Sequence, residues 1–179
     1  MNKMERAGFM RYIHKDIVIG IDPDITASGV AVLDVKTEQI QLMNLNFTDM
    51  VRFLHKIDTI RQTENITIQI IIEYSAGTKH NWHLSRQGEN KFQASAKGYS
   101  LGQNHQIEQC IYDYAKDYLK LDIIRQPPFK KCWKGRDRKI SHQELAAIMP
   151  IKDRVTNQEK RDAALLAWLG ANKPIKLSV

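Results

Sequence analysis

The chain has 179 residues, 42% of them hydrophobic and 26% charged, with 27 Lys and Arg against 20 Asp and Glu and a formal net charge of +7. This composition excludes a disordered chain and a collagen-like repeat, and the length suits one domain with a sizeable core of its own. The longest apolar runs, Ala163 to Leu169 and Ile17 to Ile21, fall far short of the roughly 18 residues a membrane span needs, so no membrane partner is expected.

The N-terminus carries Lys3, Arg6, Arg11 and Lys15 without an apolar stretch, which argues against a secretory signal and points to the cytoplasm. Residues 1–15 read as an arm. Ile17 to Ile21 is a short β-branched run closed by Asp22-Pro23, the pattern of a central strand. Val30 to Leu33 and Ile40 to Leu45 predict two more strands in a meander, and Thr48 is positioned to cap a helix bearing Met50, Phe53, Leu54, Ile57 and Ile60 on one face. Ile66 to Ile72 predicts a fourth strand, ending at Glu73, and the polar stretch from Gly77 to Lys97 reads as a loop. Leu101, Ile107, Ile111, Tyr114 and Tyr118 mark a long amphipathic helix, a candidate dimer surface, before strand Leu121 to Ile124 and the break at Pro127-Pro128. Ser141 with Glu144, and Thr156 with Glu159, have the spacing of capping boxes opening helices to Met149 and to about Gly170. The single domain is expected over 16–172, with a frayed tail at 173–179. Cys110 and Cys132 fit no metal or redox spacing and read as free thiols, while Trp133 and Trp168 read as core.

The excess charge is concentrated. Between Arg125 and Lys139 there are seven basic residues and one acid, and Lys79 to Lys97 interleaves basic residues with Trp82 and Phe92. Such stretches suit a polyanion whose phosphates meet Lys and Arg and whose bases meet aromatic faces, although a solvated loop shows the same run.

The acids are placed less ordinarily. Asp22 and Glu73 stand at the carboxyl ends of the two most apolar strands, where open α/β sheets do their chemistry. On the last helix Leu165, Leu166 and Leu169 all fall within about 60° of Asp162, so that acid lies at the centre of an apolar stripe. Glu159 lies on nearly the same face and also completes the Thr156 box, and the two roles do not exclude each other. Burying an unpaired carboxylate costs several kcal/mol, on the order of a cation's worth of compensation. Four converging carboxylates call for hard cations, and Mg²⁺ takes one or two carboxylates with water and phosphate oxygens. Two such ions activate water and steady a leaving oxygen, so acids plus a basic surface imply phosphodiester hydrolysis.

At this level of detail the sequence resembles the RNase H-like nucleases, and within them the RuvC family of Holliday-junction resolvases. The similarity rests on Ile19-Gly20-Ile21-Asp22-Pro23 with Ser28-Gly29-Val30-Ala31-Val32, on Ile70-Ile71-Ile72-Glu73 with Leu101-Gly102-Gln103, on Phe129-Lys130, Gly135 and Lys139, and on Glu159 to Ala167. Asp24 stands where the family has Gly, and Glu159 occupies a position that is Asp or His in the family. The resemblance implies an α/β fold with an RNase H-like mixed sheet of about five strands flanked by helices on both faces. It implies Asp22, Glu73, Glu159 and Asp162 as catalytic metal ligands for two Mg²⁺ ions, with Mn²⁺ substituting. Lys130, Lys131, Lys134, Arg136, Arg138 and Lys139 would contact DNA phosphates, with an aromatic wedge drawn from Tyr74, Trp82 or Phe92.

The implied activity is resolution of four-way DNA junctions by paired symmetric nicks in a homodimer, leaving 5′-phosphate and 3′-hydroxyl ends. The alternative is an RNase H-type or transposase-type nuclease acting on hybrid or duplex nucleic acid. An actin-like ATPase, which Ile19 to Pro23 alone would suit, requires a second half with a glycine-rich phosphate loop that this sequence lacks. A junction-binding module without catalysis requires a missing acid, and none is missing. His80 and His83 have metal-pair spacing without a third ligand and read as nucleic-acid contacts or solvated side chains. His142, just past a cap, reads as exposed or touching phosphate.

Overall fold

A computed structural model describes residues 15–74, 90–129 and 132–175. Strands β1 (Ile17–Asp22), β2 (Ser28–Asp34) and β3 (Ile40–Leu45) form the expected antiparallel meander. Helix α1 (Phe47–Glu64) leads to β4 (Ile68–Glu73), which pairs parallel with β1. Helix α2 (Lys91–Asp113) runs on into a π-helical turn at Tyr114–Tyr118, and β5 (Asp122–Gln126) then adds parallel to β4. A 3-10 turn at Arg136–Arg138 precedes α3 (His142–Ile148) and α4 (Gln158–Gly170). The sheet order is β3-β2-β1-β4-β5, a mixed five-stranded sheet with helices on both faces, as expected.

Strand periodicity divides the core in two. Val18, Ala31, Leu33 and Ile71 point to the face covered by α3 and α4, while Ile19, Ile21, Ile70 and Ile72 point to the face covered by α1 and α2. Covering both faces is why β1 and β4 read as unbroken apolar runs. Trp168 is buried in the α4 layer and Trp133 packs against it.

The contact that sets the helix α4 position is made by two glycines. A Cβ on Gly20 would lie 2.0 Å from the Ala163 carbonyl oxygen and 2.7 Å from the Ala167 nitrogen, and one on Gly29 would lie 2.1 Å from the Glu159 carbonyl oxygen. Helix backbone therefore rests on strand backbone with no side chain between them.

Several local expectations change. The α1 cap is Asn46, whose side chain accepts from the Asp49 amide, and not Thr48. Helix α2 starts inside the expected loop, opened by a reciprocal Asn90–Gln93 capping box. Its residues 91–96 and 98–100 are exposed, with Phe92 at 87%, whereas Ile107 and Ile111 pack into the chain's own core with Ala115. The apolar stripe offered as a dimer surface is thus largely covered from within. Ser141 and Glu144 do form a capping box for α3, but α4 is capped by Asn157, which accepts from the Lys160 amide, and not by Thr156. The tail does not fray at once: the Trp168 indole donates to the Pro174 carbonyl at 3.1 Å and Lys173 pairs with Glu38 at 2.6 Å.

Gly20→Ala is expected to cost about 3 kcal/mol, the upper end of overpacking penalties, because both clashing groups are backbone. Gly98→Ala, whose Cβ meets nothing within 4 Å, is expected to gain about 0.5–1 kcal/mol from helix entropy. Denaturant midpoints measure both, and equal responses at the two sites would refute the packing account.

Candidate active site

Register brings the two strand-end acids together. Ile21 pairs with Ile72 across the parallel β1–β4 ladder, so Asp22 and Glu73 leave adjacent strands at the same carboxyl edge. Asp22 also pairs with Gly29 on the other side, and Gly29 is where the first turn of α4 touches the sheet at Glu159. The glycine contact therefore delivers Glu159, and Asp162 one turn further on, to the strand-end acids. With Asn157 as cap, Glu159 is free of the capping-box role its spacing also suited.

Asp22, Glu73 and Glu159 line one cleft of about 250 Å³, together with Lys139 and, from α2, Leu101, Asn104 and Glu108. Asp162 stands behind Lys139, whose ammonium donates to its Oδ2 at 3.1 Å, and its side chain is 18% exposed. Asp22 keeps part of its surface open to the cleft, yet protein crowds the carboxyl. Burial, then the charges of Glu73, Asp162 and Glu159, hold it well above the usual carboxylate range. Burial opposes the charge on Lys139, but Asp162, Asp22 and Glu73 outweigh it and raise the ammonium above its ordinary value. Four carboxylates around one lysine form an oxygen-only, net negative donor set, which fits a hard divalent cation. Among the described residues no three acid, His or Cys groups already stand close enough together to cage an ion.

Other sequence candidates are placed differently. Arg125, counted in the basic stretch, is half-buried and paired: it donates to Glu108 at 2.7 Å and its guanidinium sits 3.8 Å from the Tyr112 ring centre and 4.8 Å from that of Tyr74. Tyr74, one of the three wedge candidates, is therefore stacked on Arg125, while Phe92 is exposed on α2. Lys134, Arg136 and Arg138 are exposed around the turn before α3. That turn is closed by Glu144, which accepts from the Lys134 amide at 2.8 Å. His142 is partly buried against the Thr156 hydroxyl at 3.1 Å rather than exposed. Lys130, Lys131, Trp82, His80 and His83 lie outside the described residues. Cys110 and Cys132 are free thiols.

Sequence reasoning singled out Asp24 as a residue that could reshape the first turn, and missed Asn104 and Glu108. Asp24 accepts from the Thr26 amide at 2.8 Å and takes a 3.4 Å bond from the Asn104 amide, while Asn104 accepts from the Ile25 amide at 3.0 Å. Asp24 thus shapes the β1–β2 turn and ties it to α2. Glu108, only 4% exposed, is pushed up by burial and drawn back by Arg125. Leu101, Asn104 and Glu108 follow helical spacing, which is the signal that could have found them.

No protein-family model matches the chain, and no curated protein matches it in sequence. Among solved structures it is similar to T. thermophilus RuvC in complex with a Holliday junction substrate, at 15% identity and a TM-score of 0.49, over 84% of this chain and 90% of that one. It is also similar to the Fowlpox virus resolvase in complex with Holliday junction DNA, at 14% identity and a TM-score of 0.36, over 87% and 97%. A third likeness is to the large terminase nuclease of thermophilic phage G20c, at 14% identity and a TM-score of 0.31, over 86% and 81%. These likenesses are of fold. Among the described residues no helix is long and apolar enough to cross a membrane.

The Asp22 shift carries a sign that can be checked. A carboxyl raised on folding binds its proton more readily folded than unfolded, so stability falls as pH climbs from the ordinary aspartate value of about 3.9 toward the raised one. In metal-free protein Asp22→Asn should melt higher than wild type at pH 7–8, with the advantage gone below about pH 4. Melting curves between pH 4 and 8 decide it, and a variant that melts lower throughout contradicts the burial argument.

Proposed function

We propose that this protein is a divalent-metal-dependent endodeoxyribonuclease that resolves four-way DNA junctions by paired nicks, leaving 5′-phosphate and 3′-hydroxyl ends. The observation that supports this best is the meeting of Asp22, Glu73 and Glu159 in one cleft, with Asp162 held behind Lys139. Gathering like charges works against folding, so such a cluster suits a chain that uses them on cations.

In this reading Asp22, Glu73, Glu159 and Asp162 hold the metal, expected as two Mg²⁺ ions with Mn²⁺ as a substitute. Bound there, the metal would activate a water for attack and offer positive charge to the leaving oxygen. The chain's own residues do the rest. Lys139 balances Asp162 and adds a cation beside the cleft, and exposed Lys134, Arg136 and Arg138 hold backbone phosphates, with Lys130 and Lys131 in the same stretch of sequence. Tyr74, Trp82 and Phe92 remain the aromatic residues offered to unstacked bases.

The four-way junction as substrate rests on the four segments that resemble RuvC. Symmetric nicks on two strands require two sites, hence a homodimer with one site per subunit.

Glu73→Gln and Asp162→Asn are each expected to abolish Mg²⁺-dependent nicking of a synthetic four-way junction while leaving junction binding intact. Either variant cutting at the wild-type rate would overturn the assignment. Matched linear duplex and RNA–DNA hybrid serve as comparison substrates, and preferential cutting of either points instead to the transposase-type or RNase H-type alternative.

A further inference from the structure

Behind Asp162 runs a connected set of hydrogen bonds that the pattern of acids does not reveal. The Arg161 guanidinium donates through Nε to the Ile140 carbonyl at 2.8 Å, through Nη1 to the Thr156 carbonyl, and through Nη2 to Oε1 of Gln158 at 2.9 Å. Gln158 in turn donates its amide to Oδ1 of Asp162 at 2.8 Å. Ile140 directly follows Lys139, the residue that donates to Oδ2 of the same carboxylate. One guanidinium therefore anchors both groups that grip Asp162: the glutamine on its own helix, and the backbone next to the lysine across the cleft.

The two grips differ in kind. Gln158 lies one turn before Asp162 on α4, so its bond to Oδ1 moves with the helix and is compatible with any ligand at the other oxygen. Lys139 is a cation at Oδ2, and the charges of Asp22 and Glu73 also act on it. Oδ2 is thus the oxygen that meets the cleft lysine, and Oδ1 the one held along the helix. A carboxylate held at neither oxygen rotates freely about its last torsion, which is broad and roughly two-fold. Groups hydrogen-bonded behind a metal-ligating side chain fix its orientation, and losing them typically weakens metal affinity about 10–100-fold.

We infer that Gln158 and Arg161 are positioning residues for Asp162, holding its Oδ1 so that Oδ2, the oxygen Lys139 now meets, is kept in place for a divalent cation. This rests on the reading of Asp162 as a metal ligand. Thr156 is part of the same device: it is buried, its carbonyl receives Arg161, and its hydroxyl meets His142.

Titration calorimetry with Mn²⁺ alone, on the full chain, tests this together with metal-free melting temperatures. Gln158→Leu should bind Mn²⁺ about 10–100-fold more weakly than wild type while melting near the wild-type temperature, a combination that a purely structural role would not give. Arg161→Lys keeps the charge but loses the fork of donors and should weaken Mn²⁺ binding in the same direction. Because Arg161 also staples backbone, the Gln158 variant carries the decision if Arg161→Lys unfolds. Wild-type Mn²⁺ affinity in Gln158→Leu, with affinity lost in Asp162→Asn, overturns the inference and leaves the metal site standing. Wild-type affinity in Asp162→Asn instead overturns the metal-ligand reading itself, and the inference with it.

Discussion

Everything distinctive about this molecule follows from helix α4 lying directly on the backbone of β1 and β2. Ordinary helix-on-sheet packing is separated by interlocking side chains. Here Gly20 and Gly29 remove them on the strand side, and Ala163 and Ala167 keep the facing helix slim. The approach does two things at once. It seals one face of the sheet with the buried run from Ala163 to Trp168, and it brings the first turn of α4 within backbone contact of the residue paired with Asp22. Core formation and site assembly are one event, so the unfavourable gathering of acids is carried by apolar burial a turn or two away.

The remaining walls of the cleft are added by longer-range bonds. Asn104 latches α2 to the β1–β2 turn, and the Arg125–Glu108 pair, flanked by Tyr74 and Tyr112, joins α2 to the ends of β4 and β5. The α2 side of the cleft is thereby built from polar pairs, in contrast to the α4 side, which is built from close packing. The proposed metal chemistry would use the first kind of wall for shape and the second for its ligands.

How much of this the sequence discloses depends on what kind of force is involved. The β1 and β4 runs were legible because burial on both faces leaves an unmistakable apolar mark, and Asp22 and Glu73 stand out as the acids on which those runs end. On α4 the buried run is continuous from Ala163 to Trp168 while Leu169 is half-buried, so the helix is wrapped more fully than a one-sided stripe implies. The first turns of α2 left no mark, since residues 91–96 and 98–100 pack on nothing and the helix there depends on the local Asn90–Gln93 box. Thr156 and Asn157 are adjacent cap formers, Asn the stronger of the two, but only Thr156 stands three residues before a glutamate. The choice fell to Asn157 while Thr156, buried, bonds to Arg161 and His142, partners invisible in a local pattern. Arg125 looked like part of a basic surface because its partner, Glu108, is 17 residues away.

That last pairing also changes what the chain's charge means in solution. A protein bound to a polyanion releases one condensed counterion for roughly each phosphate it neutralises, and only cations able to reach solvent take part. Of the seven basic residues between Arg125 and Lys139, Arg125 is enclosed by Glu108 and two tyrosine rings, and Lys139 is paired with Asp162. The ionic-strength sensitivity of any nucleic-acid complex formed through this stretch is therefore weighted, among the described residues, toward the exposed Lys134, Arg136 and Arg138, with Arg125 and Lys139 counting for less than their formal charges.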